Sequence, residues 1–144
     1  MANDTIHETV KNALVKDGWR IIKEHLHLEY EELDIFIDLL AERAPFVAEK
    51  DNRQILVEVK TFGDRSFMRA LQQALGQYQI YADFMEFTGL DYELYLAVSN
   101  AVYETFLRGT ATQRIIQRHR VNLLIVNVEQ EEIVEWIKEV NTQI

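Results

Sequence analysis

The chain has 144 residues, 48% of them hydrophobic and 27% charged, with a formal net charge of −9. That length suits a single domain over residues 1–144, and the absence of cysteine excludes disulfides, thiolate metal sites and cysteine nucleophiles. No apolar run approaches the length of a membrane span, and Met1 to Thr5 lacks the basic and apolar regions of a secretion signal, so a cytoplasmic location is expected; the acidity weighs against a strong nonspecific nucleic-acid binder, whose affinity comes from neutralised phosphates.

Residues 5–17 are predicted to be helical, because Ile6, Val10, Ala13 and Leu14 recur at helical spacing. Thr5 and Glu8 stand at capping-box separation, and Gly18 suits the C-terminal stop. A first strand is expected from Trp19 towards Tyr30. A second runs from Leu33 to Glu42, with Phe46 to Ala48 continuing it beyond Pro45. Asp51-Asn52 reads as a hairpin turn into a third strand, Gln54 to Phe62. Residues 64–87 form the longest predicted helix, with Phe67, Leu71, Ala74, Leu75, Tyr78, Ala82 and Met85 on its apolar face. A fourth strand at 93–98, short helices near 100–107 and 110–119, and a fifth strand at 121–128 follow. Residues 131–140 read as an amphipathic last helix with Trp136 on its apolar stripe. The order αβββαβαβα, without long linkers, repeats or low-complexity segments, makes one α/β domain the economical reading.

The most informative stretch is Gln54-Ile-Leu-Val-Glu58-Val-Lys60. Side chains alternate between the faces of a strand, so Glu58 and Lys60 project together, roughly 7 Å apart, while Val57 and Val59 face the other way. A charge held on an apolar strand is costly unless a partner or a metal compensates it. Glu-x-Lys in such a strand, with an acid upstream, is the sequence form of a Mg²⁺-dependent nuclease site. Gly-rich phosphate loops are absent.

The helix–three strands–helix–strand order with Glu58-x-Lys60 on the third strand resembles the restriction-endonuclease-like, PD-(D/E)xK fold, an αβββαβ core with a central mixed sheet flanked by helices. The likeness extends to ordered blocks over nearly the whole chain. They are His7-Glu8-x-Val10-Lys11-Asn12-Ala13-Leu14 with Lys16-Asp17-Gly18-Trp19, then Asp38-Leu39-x-Ala41-Glu42, Val57-Glu58-Val59-Lys60-x-Phe62, Ala74-Leu75-Gly76-Gln77-Tyr78 and Leu94-Tyr95-Leu96-Ala97-Val98. These blocks resemble the XisH family, the cyanobacterial fdxN element excision controlling factors. The resemblance implies the nuclease-like fold, a role in programmed excision of a DNA element, and a companion protein, XisI.

Within that frame, Asp38 and Glu58 are the expected ligands of Mg²⁺ or Mn²⁺, the Val59 carbonyl supplies a further oxygen, and Lys60 orients the attacking water. Asp38 follows Phe36-Ile37 in the strand and matches the family block, but a tight turn at Asp51-Asn52 would set Pro45 opposite Glu58. Either the second strand bends or bulges, or Glu42 takes the site; a salt bridge from Glu42 to Arg43 or Lys60 is the plainer reading of that residue. Glu8 matches the first-helix acid of many nucleases of this superfamily, against its plainer role in the capping box. Its neighbour His7 reads as a surface or interface histidine. Gln77 and Tyr81 share a helix face, and Gln-x-x-x-Tyr after Glu-x-Lys resembles an accessory motif of RecB-like nucleases that lies near the active site. Its plainer reading is a buried amide and a core tyrosine. Arg65 and Arg69 are phosphate candidates near the site, while Arg114, Arg118, His119 and Arg120 form a basic cluster that reads first as a solvated face.

The leading expectation is an excision controlling factor acting on DNA through a Mg-dependent nuclease-type site. Two alternatives stay open: a catalytically inactive DNA- or protein-binding accessory factor, favoured by the acidity, and a nuclease toxin component restrained by a XisI-like partner. Nucleases of the resembled fold often pair to cut two strands, which implies a homodimer.

Overall fold

The computed structural model describes residues 2–43, 53–62 and 66–139. Helix α1 (Ala2–Lys16) is followed by β1 (Arg20–Tyr30), β2 (Leu33–Arg43) and β3 (Arg53–Val59). Helix α2 (Phe67–Thr88) leads into β4 (Glu93–Ser99), and the short α3 (Asn100–Val102) runs on as a π-helical turn, Tyr103–Leu107. Helix α4 (Thr110–Arg118), β5 (Leu123–Asn127) and β6 (Glu132–Ile137) complete the described chain.

The six strands form one mixed sheet in sequence order, β1 to β6. The β1–β2, β2–β3 and β5–β6 pairs are antiparallel, and β3–β4 and β4–β5 are parallel. Parallel neighbours require crossovers, and here α2 and the α3–α4 segment supply them on one face. Leu71, Ala74, Tyr78, Tyr81, Leu107 and Ile116 pack there on Leu56, Leu96, Val98 and Ile125. The opposite face is covered by α1, whose Val10, Ala13 and Leu14 pack with Trp19 on Leu39, Ile55, Val57, Ala97 and Leu124. The expected central mixed sheet flanked by helices is therefore the observed architecture.

Two local endings set how α1 meets the sheet. Gly18 takes a left-handed φ of 95°, its N–H donates to the Val15 carbonyl at 3.0 Å, and the Trp19 N–H donates to Leu14 at 3.0 Å. This C-terminal cap turns the chain straight into β1. The helix is already running at Ala2, so Thr5 is not its N-cap and the capping-box reading of Glu8 fails.

Two further expectations change. Arg43 pairs with Arg53, a register that differs from the one setting Pro45 opposite Glu58; the expected turn at Asp51-Asn52, Pro45 and Phe46 to Ala48 lie outside the described residues. Residues 132–137, expected to be helical, are strand β6 at the edge of the sheet. The β5–β6 register shifts between Ile125 and Val126, leaving Val134 unpaired in the ladder. That bulge turns Ile133 and Trp136 to the same α1-covered face, and a spacing of three with a bulge mimics the periodicity of a helix.

Candidate active site

The site forms where β2 and β3 part. Their ladder ends at Leu39 opposite Val57, so the next pair outward is Asp38 opposite Glu58. There the side chains take over the main-chain bonding. The Asp38 N–H donates to Glu58 Oε1 at 3.3 Å, and the Val59 N–H donates to Asp38 Oδ2 at 2.8 Å. Lys60 follows at once, tied by its N–H to the Ala97 carbonyl of β4 at 2.9 Å. Val57 and Val59 pack towards α1, as alternation requires.

The row continues into β1. Glu24 pairs with Leu39 and Leu26 with Ile37, which sets His25 across from Asp38. Alternation breaks in both strands at this row. Leu39 packs on the α1 side but Ile37 on the α2 side. Likewise Glu24 reaches α1 while Leu26 packs towards α2. His25 takes a left-handed φ of 56°, a conformation uncommon for a residue with a side chain. The bend or bulge expected in β2 beyond Asp38 is absent from the described ladder, which runs regularly from Leu39 to Arg43; the register, with Arg43 opposite Arg53, brings Asp38 rather than Glu42 beside Glu58.

These residues line a pocket of about 460 Å³, walled by His7, Glu8, Glu24, His25, Asp38, Glu58, Val59, Lys60 and Thr61. Glu58 is 8% exposed. Burial first, and then the negative charge of Asp38, push its carboxyl up from 4.5 to about 7, with Lys60 pulling the other way. On the far wall, His7 Nε2 meets Glu24 Oε1 at 2.9 Å, and Lys11 Nζ lies 3.2 Å from Glu24 Oε2 and 3.3 Å from Glu8 Oε1. The His7 hydrogen bond and then Lys11 hold the Glu24 carboxyl below its ordinary range.

Asp38, Glu58, Val59, Lys60 and Glu8, expected on sequence grounds, all line this pocket. Glu42 does not; it pairs in register with Gln54, and its carboxylate lies 3.5 Å from Arg20. Four residues along β2 is roughly 13 Å, too far for shared ligation. Gln77 is not a lining residue either, although its Oε1 is buried and unpaired. Tyr81, one turn on, donates its hydroxyl to the Phe36 carbonyl at 3.1 Å. Burial, then the charges of Glu58 and Asp38, raise that hydroxyl to about 12, which puts Tyr81 near the carboxylates from behind. Arg65 lies outside the described residues, and the exposed Arg69 donates its N–H to the Ser66 cap of α2 at 3.5 Å. Arg114 and Arg118 line a separate open depression on α4. His7, read as a surface histidine, is 14% exposed and belongs to the pocket. Glu24 and His25 were not legible in advance, because regular alternation would not turn Glu24 and Leu26 to opposite faces.

Two carboxylates meeting beside open space, with Val59 and Lys60 on the same wall, offer oxygen ligands that suit a hard divalent cation and an ammonium next to them. Burial with repulsion between Asp38 and Glu58 is the electrostatic condition that such an ion relieves.

The family described as XisH protein matches residues 1–134. A crystal structure of an XisH family protein from Nostoc punctiforme is 34% identical, with a TM-score of 0.84 over 94% of this chain and 100% of the other. A crystal structure of an fdxN element excision controlling factor protein from Anabaena variabilis is also 34% identical, with a TM-score of 0.82 over 94% of this chain and 99% of the other. No curated protein matches the chain.

Proposed function

This chain belongs to the XisH family, and on that premise we propose that it is an fdxN-type excision controlling factor that acts on DNA by metal-dependent phosphodiester hydrolysis. The observation that carries this reading is the convergence of Asp38, Glu58 and Lys60 where β2 and β3 part, with each carboxylate accepting a main-chain N–H of the other's strand. The element order α1 to β4 and this trio together resemble the restriction-endonuclease-like nucleases, which supports the chemistry by analogy. The similar Anabaena variabilis protein is described as an excision controlling factor, which supports the biological setting.

Asp38, Glu58 and the Val59 carbonyl would hold a Mg²⁺ or Mn²⁺ ion. Such an ion polarises a phosphoryl oxygen and acidifies a bound water. Lys60 orients the water for attack on phosphorus and offsets the negative charge that develops there. The water gives up a proton to solvent as its oxygen joins phosphorus, one phosphate ester P–O bond breaks, and the departing oxygen takes a proton from solvent. Glu8, on the pocket rim, is placed to accept hydrogen bonds from waters around the ion.

The net charge of −9 favours a second reading. Here the pocket is catalytically silent and the chain works through a protein partner, an XisI-like protein being the one the family resemblance implies. A cleavage assay decides between the two. Wild type, Glu58→Ala and Lys60→Ala are compared on supercoiled and single-stranded DNA with Mg²⁺ or Mn²⁺. Metal-dependent cutting lost by at least about a hundredfold in both variants is expected, the scale seen when one preorganised transition-state contact is removed. No cutting by wild type, or cutting that survives both substitutions, would move the function to binding and regulation.

A further inference from the structure

The wall of the pocket facing Asp38 and Glu58 has its own chemistry. His7 and Glu8 come from α1 and Glu24 from β1, and one donor atom from each lies within 4.8 Å of the others. This wall is partly solvated, with Glu8 57% and Glu24 36% exposed. It contains an imidazole that is only 14% exposed, and it closes one side of a formed pocket. The His7 ring stacks on that of His25, with centroids 5.5 Å apart and planes 12° from parallel, which fixes its orientation. The ammonium of Lys11 now bridges Glu8 and Glu24 at 3.3 and 3.2 Å. A cation is therefore already favoured between these two carboxylates.

We propose that His7, Glu8 and Glu24 form a second divalent-cation site in the pocket, distinct from the Asp38–Glu58 pair and selective for a transition metal such as Mn²⁺ or Zn²⁺ over Mg²⁺. Donor type carries the selectivity. Imidazole nitrogen suits zinc and its neighbours, whereas magnesium favours an all-oxygen shell. Metal–ligand distances of 2.0–2.2 Å require donors a little closer together than here. Small side-chain rotations of Glu8, which is exposed, bring that about. Lys11 acts as the competing internal cation. Its long side chain swings out when metal enters, as the ammonium and the ion occupy the same place between Glu8 and Glu24. His25 positions the His7 ring and is not counted as a ligand.

The site is tested by binding, so its fate is separate from that of the hydrolytic reading. Zn²⁺ and Mn²⁺ titrations of the full chain would compare wild type with His7→Ala, Glu24→Gln, Lys11→Met and the double variant Asp38→Asn/Glu58→Gln. Zn²⁺ affinity is expected to fall by roughly tenfold or more in His7→Ala and Glu24→Gln, to rise in Lys11→Met, and to persist in the double variant. Electron spin-echo spectroscopy of wild type loaded with Mn²⁺ supplies a readout that needs no substitution, since imidazole ligation imprints nitrogen coupling on the ion. Zn²⁺ affinity unchanged by both His7→Ala and Glu24→Gln would overturn the site. So would Mn²⁺ free of nitrogen coupling, or Zn²⁺ binding lost only with Asp38 and Glu58. DNA cleavage lost in Glu58→Ala while Zn²⁺ still binds through His7 would leave both readings standing, each on its own measurement.

Discussion

Glu58 concentrates the physics of the pocket in one side chain. It is buried at the end of a central strand, and its carboxyl is pushed up from 4.5 to about 7, first by burial and then by Asp38. The folded chain therefore keeps a proton that the unfolded chain has released between those two values. By linkage, that contribution is complete below about pH 4.5, is lost as pH rises through about 7, and is gone above it. The shift corresponds to an upper bound of roughly 3 kcal/mol. Glu58→Gln removes the ionisation, so without metal the variant should melt higher than wild type at pH 8 and close to it at pH 4.5. Thermal melts in a chelator at the two pH values check this; an equal gap at both would show that Glu58 ionises freely in the folded chain. At this scale the sequence was legible where charge sits on an apolar strand, as with Glu58 and Lys60. It was silent on Glu24 and His25, because the left-handed turn at His25 that re-aims them has no glycine or asparagine to announce it.

Elements were legible wherever their hydrophobic period was undisturbed, and illegible where a bulge altered it. Helix α2 shows the first case: Leu71, Ala74, Tyr78 and Met85 were all expected on its apolar face, and all are buried. Strand β6 shows the second. Trp136 packs edge-on against Tyr95 with centroids 4.9 Å apart, and obliquely against Trp19 at 5.6 Å. Beside them, Arg53 lies over the Trp19 ring at 5.4 Å and is held by both Glu93 oxygens at 2.9 and 3.0 Å. This cluster joins β3, β4 and β6 to the start of β1. Trp136 is the only one of these contributors that β6 supplies through its ring, so its loss opens the edge of the sheet. Trp136→Ala is expected to cost about 2–4 kcal/mol, near the lower part of the range for a large aromatic because the residue is half-buried. Urea unfolding measures the loss. A change below about 0.5 kcal/mol, the level of an ordinary surface substitution, would show that β6 docks without it. The connection between β2 and β3 was the other illegible element: a turn at Asp51-Asn52 predicted the wrong register, whereas the observed pairing of Arg43 with Arg53 is what aligns Asp38 with Glu58.

At the scale of the molecule, electrostatics decides how an acidic chain could engage a polyanion. The formal charge of −9 opposes approach to DNA, and four carboxylates, Glu8, Glu24, Asp38 and Glu58, face the pocket itself. Divalent cations reverse the local sign, so association with DNA should depend on them rather than on the protein's own basic residues. In the presence of Ca²⁺, which fills oxygen sites, binding to a short duplex is expected to be at least about tenfold tighter than in a chelator. Its dependence on monovalent salt should be shallow, because few phosphates are neutralised by lysine or arginine. The competing route is the α4 depression lined by Arg114 and Arg118, which lies outside the pocket. Binding through that face would be independent of divalent ions and steeply salt-dependent, and Arg114→Ala with Arg118→Ala would weaken it while Asp38→Asn would not. Fluorescence anisotropy with these variants, with and without Ca²⁺, separates the two. Metal-dependent binding lost in Asp38→Asn ties DNA to the pocket; metal-independent binding lost with the two arginines would move DNA to α4 and leave the pocket without a nucleic-acid substrate.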